Sequence, residues 1–311
     1  VNLEPLRAIF GDRLQTNVPL ERFTSARVGG PADAFLEVNT PDELVQAVTQ
    51  LWSEDLPWMI LGGGSNVLVS DAGVHGVVLL NRTRQVRFEE DLRPPLVWAE
   101  SGANFGLVAR QAAGRGLAGL EWAGGIPGTV GGAVVGNAGA HGSDMAGSLV
   151  VAVILQRNEK MQEVLPIRES WPVERFEYTY RSSWLKLHPG QGIVLEAALR
   201  LERSHTEAVQ ARMDAFVDFR HRTQPPGASM GSMFKNPPED HAGRLIEAAG
   251  LKGARVGQAQ ISTLHANFFI NHGQARAADV YALIEKARLA VMEQFGVNLE
   301  LEIELVGDWK I

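Results

Sequence analysis

The chain contains no cysteine. This rules out disulfides, thiolate metal sites, cysteine nucleophiles and any cofactor tethered through sulfur, and it fits a cytoplasmic setting. No apolar run approaches the roughly 18 residues that a membrane-spanning helix needs, so no span is expected. The opening VNLEPLRAIFGDRLQ has no basic segment followed by an apolar one, and no secretion signal is expected there. GxGxxG does not directly follow an early strand, and Gly-Lys and HExxH are missing throughout. These gaps argue against a Rossmann dinucleotide site, a P-loop and a zinc peptidase. His265 and His272 are too far apart for one helix face, so no metal site is expected. Lysine and arginine (29) are outnumbered by aspartate and glutamate (36), and the net charge of −7 argues against nucleic acid as a partner. An anionic small ligand would need a locally basic pocket. Arg181 with Lys186, or Arg220, His221 and Arg222 with Lys235, are the candidates.

Glycine, by contrast, is abundant and concentrated. Residues 116–142, GLAGLEWAGGIPGTVGGAVVGNAGAHG, hold ten glycines in 27 positions. Glycine loses more backbone freedom on folding than any other residue, so such a density is costly in a plain loop. Trp122, Ile126, Val130, Val134 and Val135 run through it, which points to a buried segment rather than low-complexity filler. A second cluster, Gly62-Gly63-Gly64-Ser65-Asn66, lies between the apolar stretches Trp58–Leu61 and Val67–Val69 and reads as strand, tight turn, strand. Glycine-rich backbone presents many N–H donors at close range, the surface on which diphosphates bind. Two such loops about sixty residues apart suit a long cofactor with a diphosphate in its middle. The plain alternative is a pair of ordinary tight turns.

At 311 residues, 45% apolar and 21% charged, the chain has the size for two or three domains and an ordinary globular composition. Strands are expected at 33–38, 76–80, 96–99, 148–155 and 193–201. A helix is expected after Thr40, with Pro41 at its first position and Glu43 completing a capping box, and another over 104–114. A new unit is expected near residue 203, opening with a helix over 204–219 that Gln224-Pro225-Pro226-Gly227 terminates. Asp240 is a candidate cap for a helix ending at Gly250, and 266–270 reads as a strand. Val280, Leu283, Ile284, Ala287, Val291 and Phe295 mark an amphipathic helix over 277–295. Leu299, Leu301, Ile303 and Leu305 alternate with Glu300, Glu302 and Glu304 as in a half-buried strand.

Seven segments, taken in order, resemble one family: SARVGGPA from Ser25, LGGGSN from Leu61, GIPGTVGGA from Gly125, NAGA from Asn137, YRSS from Tyr180, GSMFKNP from Gly231 and LELEI from Leu299. The chain resembles the UDP-N-acetylenolpyruvoylglucosamine reductase (MurB) family, flavoenzymes of bacterial cell-wall synthesis, from about residue 20 to its C-terminus. The glycine motifs alone indicate the wider vanillyl-alcohol-oxidase-type (PCMH-type) FAD-binding fold. The last three motifs select the reductase. The implied class is α+β, with two FAD-binding lobes (1–80 and 81–203) followed by a C-terminal α/β substrate domain (204–311). The resemblance further implies non-covalent FAD, NADPH as electron donor, the enolpyruvyl ether of UDP-N-acetylglucosamine as substrate and UDP-N-acetylmuramate as product.

By the same resemblance, Arg181 pairs with the substrate carboxylate, Ser232 gives a proton to C2, and Glu302 helps to polarise the carboxylate. Arg27, Gly62, Gly63, Gly64, Ser65, Asn66, Gly125, Ile126, Pro127, Gly128, Thr129, Gly131, Gly132, Asn137, Ala138 and Gly139 are candidates for FAD contacts. Tyr180, Gln224, Lys235 and Asn236 are candidates for the sugar nucleotide. On residues alone, Arg181 reads equally as a surface arginine, Ser232 as a turn serine, and Glu300, Glu302 and Glu304 as the wet face of a strand. Fifty residues separate Arg181 from Ser232, which resembles the shorter, second type of the family, without an inserted tyrosine clamp. Thr129 stands where serine is common, His141 where tyrosine is common, and Trp184 where phenylalanine is usual. Two other readings stay open. One is a different flavin oxidase or dehydrogenase of this fold, tethering FAD through a histidine such as His141. The other is a nucleotide-binding module with no redox role.

Overall fold

The computed structural model describes residues 2–157 and 166–309 and divides into two compact units. The first comprises Val1–Gln15, Phe35–Gly63 and Gly76–Asp218. The second comprises Thr16–Ala34, Gly64–His75 and Phe219–Ile311. No helix among the described residues is long and apolar enough to cross a membrane.

The first unit is built on a five-stranded sheet in the order Ile167–Pro172, Leu149–Gln156, Gly192–Arg200, Leu96–Glu100, Val86–Glu89, every neighbour antiparallel. Alternation sends every second side chain to one face. Ala99, Ala197 and Ala152 are paired across three adjacent strands and are buried. The short helix Val130–Gly136 packs on Gly192–Arg200 and Leu96–Glu100, its Val130, Ala133 and Val134 sharing a core with these alanines. Val130, Val134, Trp122, Phe105 and Ile154 close the core around it. Burying each large side chain stabilises the fold by about 1.5–3 kcal/mol. The helix Phe105–Gly114 starts where expected, capped by Asn104, whose side chain accepts from the Leu107 N–H at 2.9 Å. The helix Pro41–Ser53 is capped by Thr40 as expected. The Glu43 carboxylate accepts from Asn39 N–H and pairs with Arg13, which holds its carboxyl below the usual range.

In the second unit the long helix Ala277–Phe295 lies where its apolar spacing put it. Its buried face packs on the three-stranded antiparallel sheet Arg255–Val256, Ala259–Ile261, Phe269–Asn271 and on the helix Ala242–Ala248. The first free N–H groups of the long helix, at Ala277 and Ala278, donate to the Asp71 carboxylate at 2.9 and 3.0 Å, a cap supplied from far away in the chain. Glu304–Val306 pairs in parallel with Val67–Val69.

Three expectations change. Asp240 is not the cap of the following helix. His241 holds that position while the Asp240 carboxylate accepts from His241 N–H and pairs with Arg244, which pulls its carboxyl down to about 2. Asn236 instead accepts from the first helical N–H, at Ala242 (3.1 Å), and the helix ends at Ala248. The strand expected over 266–270 shrinks to Phe269–Asn271, because Phe268 N–H turns back onto the His265 carbonyl. The strand expected over 299–305 is regular only at Glu304–Val306. Its earlier part makes an isolated bridge, Leu301 to Phe234, yet still buries Leu299 and Ile303 and leaves Glu300 exposed.

The end of the second unit carries a pH-sensitive clasp. His75 Nδ1 lies 3.2 Å from Asp33 and its Nε2 lies 3.2 Å from Asp308, so the hydrogen bond and charge of Asp33, then the charge of Asp308, raise its pKa above the ordinary 6.5. A raised folded pKa means the clasp is fully formed below pH 6.5 and is lost as pH rises through the folded value. A proton NMR titration should place the His75 midpoint above 6.5, and Asp33→Asn should lower it. A midpoint at or below 6.5 contradicts the clasp.

Candidate functional site

In the first unit the two glycine loops meet. A Cβ placed on Gly62 would lie 2.5 Å from Thr129 Oγ1, and one on Gly63 would lie 2.9 Å from Gly128 Cα. These positions are glycine because the loops touch there. The N–H groups of Gly62, Gly125, Gly128 and Thr129 donate to no acceptor among the described residues. Others in the same run are used internally: Val130 N–H donates to Ala103 O and Gly131 N–H to Ser101 O, at 2.9 and 2.8 Å. Gly132 N–H is taken by Thr129 Oγ1 at 3.4 Å. The N–H groups left open to a ligand among the described residues are therefore a subset of those expected from the sequence. Beneath the loop, Asn81, Thr83 and Ser101 form a buried polar cluster, with Asn81 Nδ2 donating to Ser101 Oγ at 2.8 Å and Gly102 N–H to Thr83 Oγ1 at 3.1 Å.

After the glycine helix the expected contact residues carry structural duties. Asn137 is buried, with φ +44°. Its Nδ2 donates to Thr179 O at 2.9 Å and its Oδ1 accepts from Ala146 N–H at 3.0 Å. Ala138 donates to Ala133 O and accepts from Met145 N–H. Gly139 lies in a short hairpin where a Cβ would come within 2.8 Å of Asp144 Cβ. Pro127 and Ile126 lie in the loop between the unpaired donors, Ile126 packed against the core.

Arg181 sits on a tight turn of this unit. Thr179 and Ser182 exchange two backbone hydrogen bonds, at 3.2 and 3.1 Å, leaving Tyr180 and Arg181 at the tip. Arg181 has φ +57°, a left-handed conformation costing about 1–2 kcal/mol for a residue with a Cβ. Its guanidinium lies 5.6 Å from the Tyr180 ring centroid, and Tyr180 is exposed.

Ser232 and Glu302 are brought together in the second unit. The segment 231–235 has a neighbour on each side. On one, Glu302 N–H donates to Met233 O and Lys235 N–H to Glu300 O. On the other, Met233 N–H donates to Asn267 O, and the Asn267 side chain accepts from Phe234 N–H at 2.9 Å and donates to Phe234 O at 2.8 Å. The Ser232 hydroxyl makes no hydrogen bond among the described residues. Lys235 Nζ lies 3.4 Å from the Glu300 carboxylate, while Asn236 is exposed. Asn66, expected at the cofactor, reaches the same strand: its Nδ2 donates to Glu302 O at 3.2 Å and its carbonyl accepts from Glu304 N–H at 2.9 Å. Gly64 must be glycine, since a Cβ would lie 2.0 Å from Phe23 O. Ser65 follows it in the turn. Arg27 has φ +54°, and its side chain is exposed and makes no hydrogen bond or ion pair among the described residues. Its carbonyl and that of Ala26 accept from Asn271 Nδ2. Gln224 closes the helix Thr206–Thr223, its N–H donating to Arg220 O. Burial lowers the pKa of Arg220 in that last turn.

Sequence reasoning missed Asn267 and Asn271, the side chains that fix the Ser232 and Arg27 segments. Both are buried polar residues in an apolar stretch, which was the available signal. Burial, with Lys252 adding to the effect, lowers the pKa of His265 beside Asn267, and its Nδ1 accepts from Asn267 N–H at 3.2 Å.

A sequence profile described as UDP-N-acetylenolpyruvoylglucosamine reductase, C-terminal domain, matches residues 223–306, and one described as FAD binding domain matches residues 32–155. The chain is similar to the UDP-N-acetylenolpyruvoylglucosamine reductase of Chloroflexus aggregans, at 46% identity over 296 residues that cover 94% of this chain and 97% of the relative. It is similar to that of Rubrobacter xylanophilus at 45% identity over 292 residues, 93% of this chain and 94% of the relative. Among solved structures it is similar to the UDP-N-acetylenolpyruvylglucosamine reductase (MurB) of Thermus caldophilus, at 36% identity and a TM-score of 0.78, covering 94% of this chain and 99% of the other. The fold class expected from the motifs, an FAD-binding region followed by a reductase C-terminal domain, agrees with these matches.

Proposed function

The chain belongs to the UDP-N-acetylenolpyruvoylglucosamine reductase family, and from that premise we propose that it reduces the enolpyruvyl ether of UDP-N-acetylglucosamine to UDP-N-acetylmuramate in peptidoglycan precursor synthesis, with NADPH as electron donor. It is an FAD-dependent oxidoreductase. The observation that carries the cofactor assignment is the meeting of the two glycine loops, where the N–H groups of Gly62, Gly125, Gly128 and Thr129 donate to no acceptor among the described residues. Such a cluster of donors fits a diphosphate. These residues would hold that part of the cofactor, with Gly63 needed for the approach. Gly64, Ser65 and Arg27 are further candidates. Segments 1–80 and 81–203 are assigned to the cofactor and 204–311 to the sugar nucleotide.

Bound FAD would supply hydride-transfer chemistry between NADPH and C3 of the enolpyruvyl group. The chain's own residues handle the charge and the proton that remain. Negative charge develops at C2 and spreads into the adjacent carboxylate. Arg181 pairs with that carboxylate through two parallel N–H donors and stays charged at all working pH. Ser232 donates its hydroxyl proton to C2. A free serine is a weak acid, but the carbanion-like carbon is a strong base, and Lys235 or water resupplies the proton. Glu302 is assigned to polarising the carboxylate, where a second ionised carboxylate would oppose the developing charge. Tyr180, Gln224, Lys235 and Asn236 are assigned to the nucleotide.

Purified protein should consume NADPH only when the enolpyruvyl nucleotide is supplied, one equivalent per muramate product. Consumption driven by oxygen alone, with the ether left unreduced, contradicts the proposal and favours the oxidase reading.

A further inference from the structure

The last turn of the helix Val130–Gly136 leaves its carbonyls without partners inside the helix. Ala133 O is taken locally, by the N–H groups of Asn137 and Ala138. The next two carbonyls are taken from elsewhere in the chain. Tyr178 Oη donates to Val134 O at 2.8 Å, and Ser183 Oγ donates to Val135 O at 2.6 Å. Asn137, one residue past the helix, donates to Thr179 O at 2.9 Å. These three side chains bracket the two-residue tip that carries Arg181. Tyr178 stands three residues before it and Ser183 two residues after it, on either side of the Thr179–Ser182 bridge.

We propose that Tyr178 and Ser183 are positioning residues for Arg181, and that the C-terminal end of the glycine helix is the fixed surface against which the arginine is aimed. This rests on the proposed role of Arg181. A left-handed residue other than glycine persists only where its surroundings over-determine it. Here the surroundings are the two side-chain anchors and the Asn137 amide. Ser183 is fully buried and also accepts from Lys186 N–H, so its hydroxyl has one orientation that serves both bonds. Burial pushes the Tyr178 phenol upward in pKa, so it remains a donor at any working pH. Without an anchor the turn relaxes toward the ordinary right-handed region and the guanidinium loses its alignment. A two-point carboxylate contact depends on that alignment more than a point charge would.

Tyr178→Phe removes one oxygen and keeps the ring stacked on Phe176 at 5.3 Å, so it is the cleaner variant. Ser183→Ala removes the other anchor. Stopped-flow absorbance separates flavin bleaching by NADPH from flavin recovery with the enolpyruvyl substrate. The expected result for Tyr178→Phe is full flavin content, bleaching within about twofold of wild type, and recovery slowed about tenfold, the factor that roughly 1.4 kcal/mol of lost transition-state contact produces. Ser183→Ala should show the same selective loss. If it fails to fold, Tyr178→Phe decides. Recovery within about twofold of wild type in Tyr178→Phe, or bleaching and recovery slowed together, overturns the inference. Arg181→Ala separates the two levels. If it recovers at the wild-type rate, the proposed role of Arg181 fails. If it is slow while Tyr178→Phe is fast, only the positioning role fails.

Discussion

A Ser232→Ala protein should keep its yellow colour, bleach with NADPH at the wild-type rate, and recover with the enolpyruvyl substrate about 10²–10⁴-fold more slowly, the contribution of a positioned proton donor. The selectivity follows from how the segment is held. The segment 231–235 is tied through its backbone, Met233 to Asn267 and Glu302, Phe234 to Asn267 and Lys235 to Glu300, and through the Lys235 ammonium to the Glu300 carboxylate. The Ser232 hydroxyl takes part in none of them. Its removal therefore leaves the loop in place and takes away one exchangeable proton. Unchanged recovery would strip Ser232 of its role and leave Lys235 or water as the source.

The second large effect is expected at Gly62. Its φ is not in the left-handed region, so the backbone does not demand glycine there. The space does. A methyl group would sit 2.5 Å from Thr129 Oγ1 and 3.2 Å from its Cγ2, so the loops must part. Overpacking of this kind costs about 1–3 kcal/mol, and it falls on the loops that carry the unpaired donors. Gly62→Ala should thus purify nearly colourless, with flavin affinity at least about tenfold weaker. Thr129→Ala in the same chain removes both clashing atoms and leaves the Thr129 Cβ position at 3.4 Å. Part of the flavin should return, less the contribution of the lost helix cap, about 1 kcal/mol. A Gly62→Ala protein with full flavin content would show that the two loops do not share one ligand.

Much of this was legible in the sequence because it is local. The helix Ala277–Phe295 announces itself through its 3.6-residue spacing, and the helix Pro41–Ser53 through Thr40 and Pro41. The glycine loops were legible as loops, and Ser232 and Glu302 as motif residues. What the sequence did not show was pairing at a distance. Asn66 read as a cofactor contact, yet its amide donates to Glu302, and Asn137 read the same way, yet its amide spans Thr179 and Ala146. Asn271 holds the Arg27 segment from the far end of the chain. An asparagine looks alike in sequence whether it meets a ligand or a distant carbonyl. Likewise, the alternation over 299–305 holds for Leu299 and Ile303, which are buried, while Leu301 and Leu305 are half-buried, as Glu302 is. It could not reveal that their neighbour is the bent segment around Phe234 rather than a full strand.

The central claim is that one flavin in this chain passes electrons from NADPH to an enolpyruvyl ether. Protein bleached with one equivalent of NADPH under argon, then mixed with UDP-N-acetylglucosamine enolpyruvate, tests it in a single trace. Recovery of the oxidised flavin spectrum, with one UDP-N-acetylmuramate formed per flavin, is the expected result. A flavin that stays bleached until oxygen is admitted would contradict the account.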